Sequence, residues 1–119
     1  MKQKSIILLT AVFFSLLLTN NVSAQDKTVK ISIQDTIQGK LLISKSDCLS
    51  CHKPTVKLIG PSFLDIAKRY PATAENYKML TQKVIEGGRG NWGPMAMSPH
   101  SMLPPEDVKK MLAYILSIE

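Results

Sequence analysis

The sequence predicts a small all-α domain of about four helices. The chain has 119 residues, and its first 24 have the pattern of an export signal, so one domain of 95 residues remains. The last segment repeats apolar residues at helical spacing, and Pro or Gly residues separate the other segments with this periodicity. This size excludes a barrel enzyme, a doubly wound nucleotide-binding fold and a multidomain protein.

Residues 1–24 are predicted to be a signal peptide. Lys2 and Lys4 precede an apolar run over residues 6–18, and small residues at 22–24 form a cleavage site. The run is shorter than the about 20 residues that a membrane-spanning helix needs. We therefore expect export to the periplasm or cell envelope, without stable membrane insertion after cleavage.

The exported part has a moderate excess of basic residues. The 15 Lys and Arg residues include Lys2 and Lys4, so 13 remain against 9 acidic residues, a net charge of +4. This excess favours acidic partners, whereas export and the scattered lysines argue against nucleic acid. A domain this small commonly needs covalent cross-links or a bound metal for its stability. Its two cysteines could close only one small loop.

Cys48 and Cys51 are followed directly by His52. This Cys-x-x-Cys-His spacing is the attachment signature of haem c. On one helical turn, each thiol can add to one haem vinyl group, and the adjacent imidazole can supply the proximal ligand to iron. The residues therefore predict one haem c, covalently attached through Cys48 and Cys51, with His52 as an iron ligand.

Four other interpretations of this motif are weaker. A disulfide between the two cysteines would close too short a loop to stabilise much, and a thioredoxin-like redox pair needs a strand–helix–strand context. A zinc site made of Cys48, Cys51, His52 and His100 would need two adjacent residues to bind one tetrahedral ion, which is strained, and it lacks the usual ligand spacing. The motif contains both cysteines of the chain, which argues against a chance match.

A second iron ligand is expected downstream, because it closes the iron for electron transfer. Met79 and Met111 lie in helical patterns and are predicted to be core residues. The Gly/Pro-rich segment 90–100 cannot hold a regular helix, but it can carry a thioether inward. The methionines in or beside this segment are Met95, Met97 and Met102.

Four motifs in order give the chain a family resemblance. They are Cys48-Leu49-Ser50-Cys51-His52, Gly60-Pro61, the segment Trp-Gly-Pro-Met-Ala-Met-Ser-Pro over residues 92–99, and a final amphipathic helix. Over residues 37–119 the chain resembles a small bacterial class I cytochrome c. The resemblance implies an all-α class I cytochrome c fold, with about four helices wrapped around a covalently attached haem.

The resemblance also implies which residue is the second ligand. In the family the axial Met lies five residues after the loop Trp, and here that residue is Met97, after Trp92. Ala96 and Ser98 stand where the family has prolines, and His100 stands where an Asn is common. The other candidates for the ligand are Met95, His100 and Met102.

Three further haem contacts follow from the resemblance. The Pro61 carbonyl would accept a hydrogen bond from His52 Nδ1, which orients the ring. Trp92 would pack on the haem with its indole N–H directed at a propionate, although simple core packing is the alternative. Lys83 would pair with the same propionate, or else lie on a solvated helix face.

The remaining segments supply the helices. We expect helices over residues 37–46, 62–71, 73–87 and from 104 to the C-terminal end. Residues 62–65 resemble a capping box, and Gly87-Gly88 offers a left-handed stop. Residues 25–36 are predicted to be a flexible extension, with an edge-packed arm as the alternative. The apolar stripe of the last helix is Val108, Met111, Leu112, Ile115 and Leu116. The resemblance implies that the first and last helices cross, with Tyr114 at their contact.

The predicted function is single-electron transfer between redox partners. The chain contains no Ser/His/Asp set and no acid pair of evident purpose, so we expect a carrier and not an enzyme. Partners would carry acidic docking patches that meet lysines around an exposed haem edge, and the protein would be a monomer. Two alternatives stay open: a haem subunit of a larger oxidoreductase, and an open-site haem sensor or peroxidase.

Overall fold

The computed structural model describes residues 29–119, and the predicted signal peptide over residues 1–24 lies outside them. The predicted all-α fold is confirmed, with one short hairpin added. No helix within the described range is long and apolar enough to cross a membrane. The elements are α1 (Ile33–Ser44), α2 (Cys48–Cys51), α3 (Phe63–Arg69), α4 (Ala74–Glu86), β1 (Gly88–Gly90), β2 (Gly93–Met97) and α5 (Pro105–Ile115).

Helix α1 begins four residues before its predicted start at residue 37. Ser32 caps it, because the Ser32 hydroxyl accepts a hydrogen bond from the Asp35 N–H at 3.0 Å. Residues 33–36 are thus helical, and the prediction of a flexible extension is wrong for them. Ahead of the cap, the Val29 N–H donates to the Ala72 carbonyl at 2.8 Å. Val29 therefore belongs to a docked arm, as in the alternative.

Helices α1 and α5 cross at Gly39, which is buried. A Cβ at Gly39 would overlap the backbone carbonyl oxygen of Lys110, so only glycine permits this close approach. The Lys40 ammonium lies 5.9 Å from the centroid of the Tyr114 ring. The contact between the first and last helices that the resemblance implied is therefore present, but the glycine at its centre was not identified from the sequence.

The core lies beneath this crossing. Four of the five residues of the predicted α5 stripe are at most 8% exposed, and Leu116 packs partly buried against them. Met111 is one of these four, but the predicted core position of Met79 is wrong, since Met79 is 38% exposed. Its position on α4 points away from the buried face that carries Tyr77 and Leu80.

The start of α3 and the end of α4 lie where the sequence predicted capping residues. At the start of α3, Asp65 donates its N–H to the Ser62 hydroxyl at 3.0 Å, while the Asp65 carboxylate accepts from the Ser62 N–H at 3.2 Å. The predicted capping box is confirmed. The Ser62 hydrogen bonds hold the pKa of the Asp65 carboxyl below its usual value, because they favour the ionised form. Helix α4 ends at Gly87, as predicted, and the positive φ of 70° there favours glycine. Its ψ of −148° lies outside the left-handed helical region, so the predicted left-handed stop is not formed in that geometry.

The Gly39→Ala variant is expected to be less stable than the wild type. Alanine has a helix propensity advantage of about 1 kcal/mol, but its methyl group would push α1 away from α5. Overpacking of this kind typically costs about 1–3 kcal/mol. We expect a net loss of about 1 kcal/mol or more in the free energy of unfolding, measured by guanidinium denaturation of the holoprotein.

The matched control is Gln34→Ala, at an exposed position of α1. Its free energy of unfolding should stay within about 0.5 kcal/mol of the wild type. If Gly39→Ala were as stable as the control, the close approach of the two helices would not constrain the fold.

Candidate haem site

The two cysteines lie at the two ends of the single helical turn α2. Both are free thiols, and the Ser46 hydroxyl donates to the Cys48 sulfur at 2.9 Å. The chain leaves the turn at His52, whose N–H donates to the Cys48 carbonyl at 2.9 Å. This short helix therefore presents Cys48, Cys51 and His52 as one rigid group.

The His52 ring is held on three sides. Its Nδ1 lies 2.7 Å from the Pro61 carbonyl oxygen, and the ring stacks on buried Phe63 at a centroid distance of 5.8 Å. On the third side a Cβ on Gly60 would lie 2.5 Å from the ring carbon Cε1. A carbonyl can only accept, so Nδ1 carries the proton and Nε2 keeps a free lone pair for a metal ion.

A cavity of about 310 Å³ opens beside this ring. Most of its lining is apolar, and the walls come from α1, α3, α4, α5 and the hairpin. All seven sequence-predicted binding residues line it, namely Cys48, Cys51, His52, Pro61, Lys83, Trp92 and Met97. The fold thus brings together residues that are far apart in the sequence.

The three candidate methionines differ in how exposed their side chains are. Met97, at the end of β2, is partly buried and lines the cavity. Met95 also lines it but is 66% exposed, and Met102 is 92% exposed and does not line it. Among these three candidates, Met97 is therefore the least exposed residue that lines the cavity.

The segment that carries Met97 is a hairpin, whereas the sequence predicted no regular structure for it. Strand β2 pairs antiparallel with β1, and Met97 lies opposite Gly88. A Cβ on Gly87 would lie 2.5 Å from the Met97 carbonyl oxygen, so this glycine permits a close approach to α4. Beyond the strand, the His100 N–H donates to the carbonyls of Val84 and Ile85, each at 3.1 Å. The hairpin is thereby fastened to the C-terminal end of α4.

Trp92 lies at the tip of the hairpin and is 39% exposed. The Arg69 guanidinium lies 4.6 Å from the centroid of its ring, and Tyr70 meets it edge-on at 6.3 Å. Arg69 also donates to the Asn91 carbonyl at 2.6 Å. Arg69 therefore holds the tip against α3 through a cation–π contact and a hydrogen bond, a role for which the sequence carried no periodic or motif signal.

Lys83 lies in the cavity wall at the last turn of α4. Its ammonium donates to the Gly87 carbonyl at 3.2 Å. This contact neutralises part of the negative end of the helix. Lys83 thus lines the cavity while its ammonium is hydrogen-bonded to the residue that ends α4.

His100 also lines the cavity, and its side chain is 18% exposed. Its Nε2 lies 3.1 Å from the Asp47 carboxylate, one residue ahead of Cys48. Within residues 29–119 its buried Nδ1 has no hydrogen-bond partner. The described residues contain no group of three or more His, Cys, Asp or Glu side chains that could hold a metal ion by themselves.

Comparison with known proteins agrees with this geometry. The model of the family "Cytochrome c" matches residues 37–119. The chain belongs to the cytochrome c family. It is 36% identical over 78 residues to cytochrome c-551 of Allochromatium vinosum, which covers 66% of this chain and 83% of that protein. Cytochrome c-551 of Pseudomonas denitrificans is 33% identical over 81 residues, with 68% of this chain and 98% of that protein covered.

A solved structure shows the same fold. The crystal structure of Nitrosomonas europaea cytochrome c552 matches with a TM-score of 0.63 and 30% identity, and covers 67% of this chain and 99% of that chain. The region shared with these relatives is the helical domain that surrounds the cavity.

The family assigns one covalently attached haem c to this cytochrome and makes it an electron carrier rather than an enzyme. The site fits the group: two free thiols at one end, a ring nitrogen with a free lone pair, and mostly apolar walls. His100, whose buried Nδ1 has no hydrogen-bond partner within residues 29–119, also lines this cavity. When bound, haem supplies an iron that gains and loses one electron.

Gly60→Ala is expected to displace the His52 ring. The new methyl group would lie 2.5 Å from Cε1 and 2.9 Å from Nδ1, so the ring must tilt and its hydrogen bond to Pro61 must lengthen. Loss of such an orienting bond commonly costs about 10–100-fold in metal affinity. We expect part of the ferric protein to become high-spin, measured by absorption, whereas Thr55→Ala in the same loop should not change the spectrum.

Proposed function

We propose that this cytochrome is a periplasmic monohaem carrier whose iron is bound by His52 and Met97. The observation that carries the proposal is the convergence of four groups on one cavity. The two thiols lie on a single turn, the His52 Nε2 is free because Nδ1 donates to Pro61, and Met97 is the least exposed of the three candidate methionines of the hairpin region.

Two protein ligands suit the iron for electron transfer. With His52 and Met97 both bound to it, the iron would change its oxidation state with little movement of the protein, and small molecules would be kept away from it. A thioether ligand and apolar walls favour the ferrous state, so the potential is comparatively high. His52 follows directly on α2, and Met97 lies on a hairpin that is hydrogen-bonded to the end of α4 through His100; both attachments support this function.

Three neighbouring residues orient the group. Pro61 fixes the His52 ring through its carbonyl, and the indole of Trp92 packs against the haem with its N–H free to meet a propionate. Lys83 lies in the same wall and can reach a propionate by giving up its 3.2 Å bond to Gly87. Arg69 supports Trp92 from outside the cavity.

Partners dock at the face where the cavity opens. Exposed apolar side chains lie on the segment that leads away from His52 and on the hairpin, namely Val56, Leu58, Ile59 and Met95. Basic residues in the cavity lining accompany them, including Lys57 and Arg89. An apolar centre with positive charges suits a weak encounter between a monomeric carrier and partners with acidic patches.

The periplasmic location rests on the predicted signal peptide over residues 1–24. The two-cysteine attachment of haem c is consistent with that location.

Met97→Ala is expected to abolish the weak near-infrared absorption of ferric iron bound to a thioether. The matched control is Met95→Ala, which alters the neighbouring exposed methionine and should keep the band. His52→Ala should prevent stable holoprotein formation. Retention of the band in Met97→Ala, or rapid and complete binding of CO by the reduced wild type, would refute the closed His/Met site.

Lys57→Gln is expected to slow electron transfer to an anionic oxidant such as ferricyanide. Loss of one positive charge at the docking face should reduce the rate by about two- to threefold at low ionic strength. The difference should shrink above about 0.15 M salt, where the Debye length is about 8 Å. Lys109→Gln, an exposed charge on α5 outside the cavity lining, is the control. Equal effects of both substitutions would contradict docking at this face.

A further inference from the structure

Both histidines of the chain line the same cavity. His52 is the proximal residue of the attachment motif, whereas His100 follows the hairpin that carries Met97 and is assigned to no step of electron transfer. A cavity-lining imidazole is a strong ligand for haem iron. His100 therefore has a chemical property, the capacity to bind iron, that a packing role alone does not use.

The Asp47 contact sets the tautomer of the neutral His100 ring. The carboxylate of Asp47 can only accept, so Nε2, at 3.1 Å, carries the proton. The other nitrogen, Nδ1, then has a free lone pair. This nitrogen is buried and has no hydrogen-bond partner within residues 29–119.

This arrangement parallels that of His52. In each ring one nitrogen donates to an oxygen atom of the protein, that of the Pro61 carbonyl in one case and that of the Asp47 carboxylate in the other. In each ring the remaining nitrogen keeps a free lone pair. A histidine that binds a metal generally donates its other N–H to a carbonyl or carboxylate in this way.

The backbone anchors His100 independently of Met97. Its N–H donates to the carbonyls of Val84 and Ile85 at the end of α4, so release of the methionine does not require His100 to move away. On either side of Met97, Ala96 and Ser98 are exposed and lack the fixed φ of proline. The loop can therefore let the thioether go while the imidazole stays in the cavity wall.

We propose that His100 is a reserve ligand, which binds the haem iron through Nδ1 when Met97 is released. The inference rests on the proposed function, in which Met97 is the resting ligand. The exchange breaks the bond from the Met97 sulfur to iron and forms a bond from the Nδ1 lone pair. No electron is transferred, and no proton leaves, because Nδ1 carries none in this tautomer. Replacement of the thioether by a second imidazole lowers the potential and keeps the iron closed.

The test compares ferric holoproteins by electron paramagnetic resonance and near-infrared absorption. Met97→Ala is expected to remain low-spin with two nitrogen ligands and to show a lower midpoint potential than the wild type. Met97→Ala/His100→Asn should become high-spin, and its ferrous form should bind CO rapidly. Asn is chosen because its amide can still donate to Asp47, which protects the fold. Met97→Ala/Met102→Ala is the control and should stay low-spin.

Asp47→Asn in the Met97→Ala background checks the tautomer argument. Loss of the carboxylate should weaken binding of His100, so that added imidazole competes about tenfold more effectively. His100→Asn alone should keep the near-infrared thioether band.

The outcomes separate the two proposals. A high-spin Met97→Ala protein, or a low-spin Met97→Ala/His100→Asn protein, would overturn the reserve ligand and leave the His52/Met97 assignment standing. A wild-type protein that lacks the thioether band would instead overturn Met97 as the resting ligand.

Discussion

The apolar cavity beside His52 is the constraint on which the fold depends. Ile43 of α1, Ile66 of α3, Leu80 of α4 and Leu112 of α5 all contribute to its lining, so these helices share one interior that the haem completes. A domain of this size gains little from protein–protein burial alone. In the proposed function, thioether bonds to Cys48 and Cys51 and the iron ligands His52 and Met97 would connect α2 to the hairpin, so the haem would be both the reactive centre and part of the core.

The orientation of ring nitrogens connects the fold to the chemistry. The Pro61 carbonyl directs the His52 lone pair inward because Gly60 leaves room for the ring. The Asp47 carboxylate has the same effect on His100. In both cases the oxygen that accepts from one ring nitrogen leaves the other nitrogen with a free lone pair. In the reserve-ligand role proposed for His100, this nitrogen would bind the iron when the thioether is released.

The site was more predictable than the packing around it. Attachment of haem through Cys48 and Cys51 requires a fixed spacing, so the motif is visible in the sequence itself. Gly39 has no such signal, because helix propensity records only its cost and not the Lys110 carbonyl that approaches it. The start of α1 at Ile33 was missed because apolar and polar residues alternate through the arm ahead of it, a pattern that favours a strand. Contacts between distant segments decide such details.

Haem attachment and the two proposed iron ligands are tested most directly by one absorption measurement, from the visible to the near-infrared, on the purified wild-type protein in both oxidation states. A haem attached at Cys48 and Cys51 and bound by His52 and Met97 should give a reduced spectrum of low-spin c-type haem and an oxidised spectrum with the weak band of a thioether–iron bond. A colourless protein would contradict haem attachment at Cys48 and Cys51. A high-spin oxidised spectrum without that band would contradict the closed site formed by His52 and Met97.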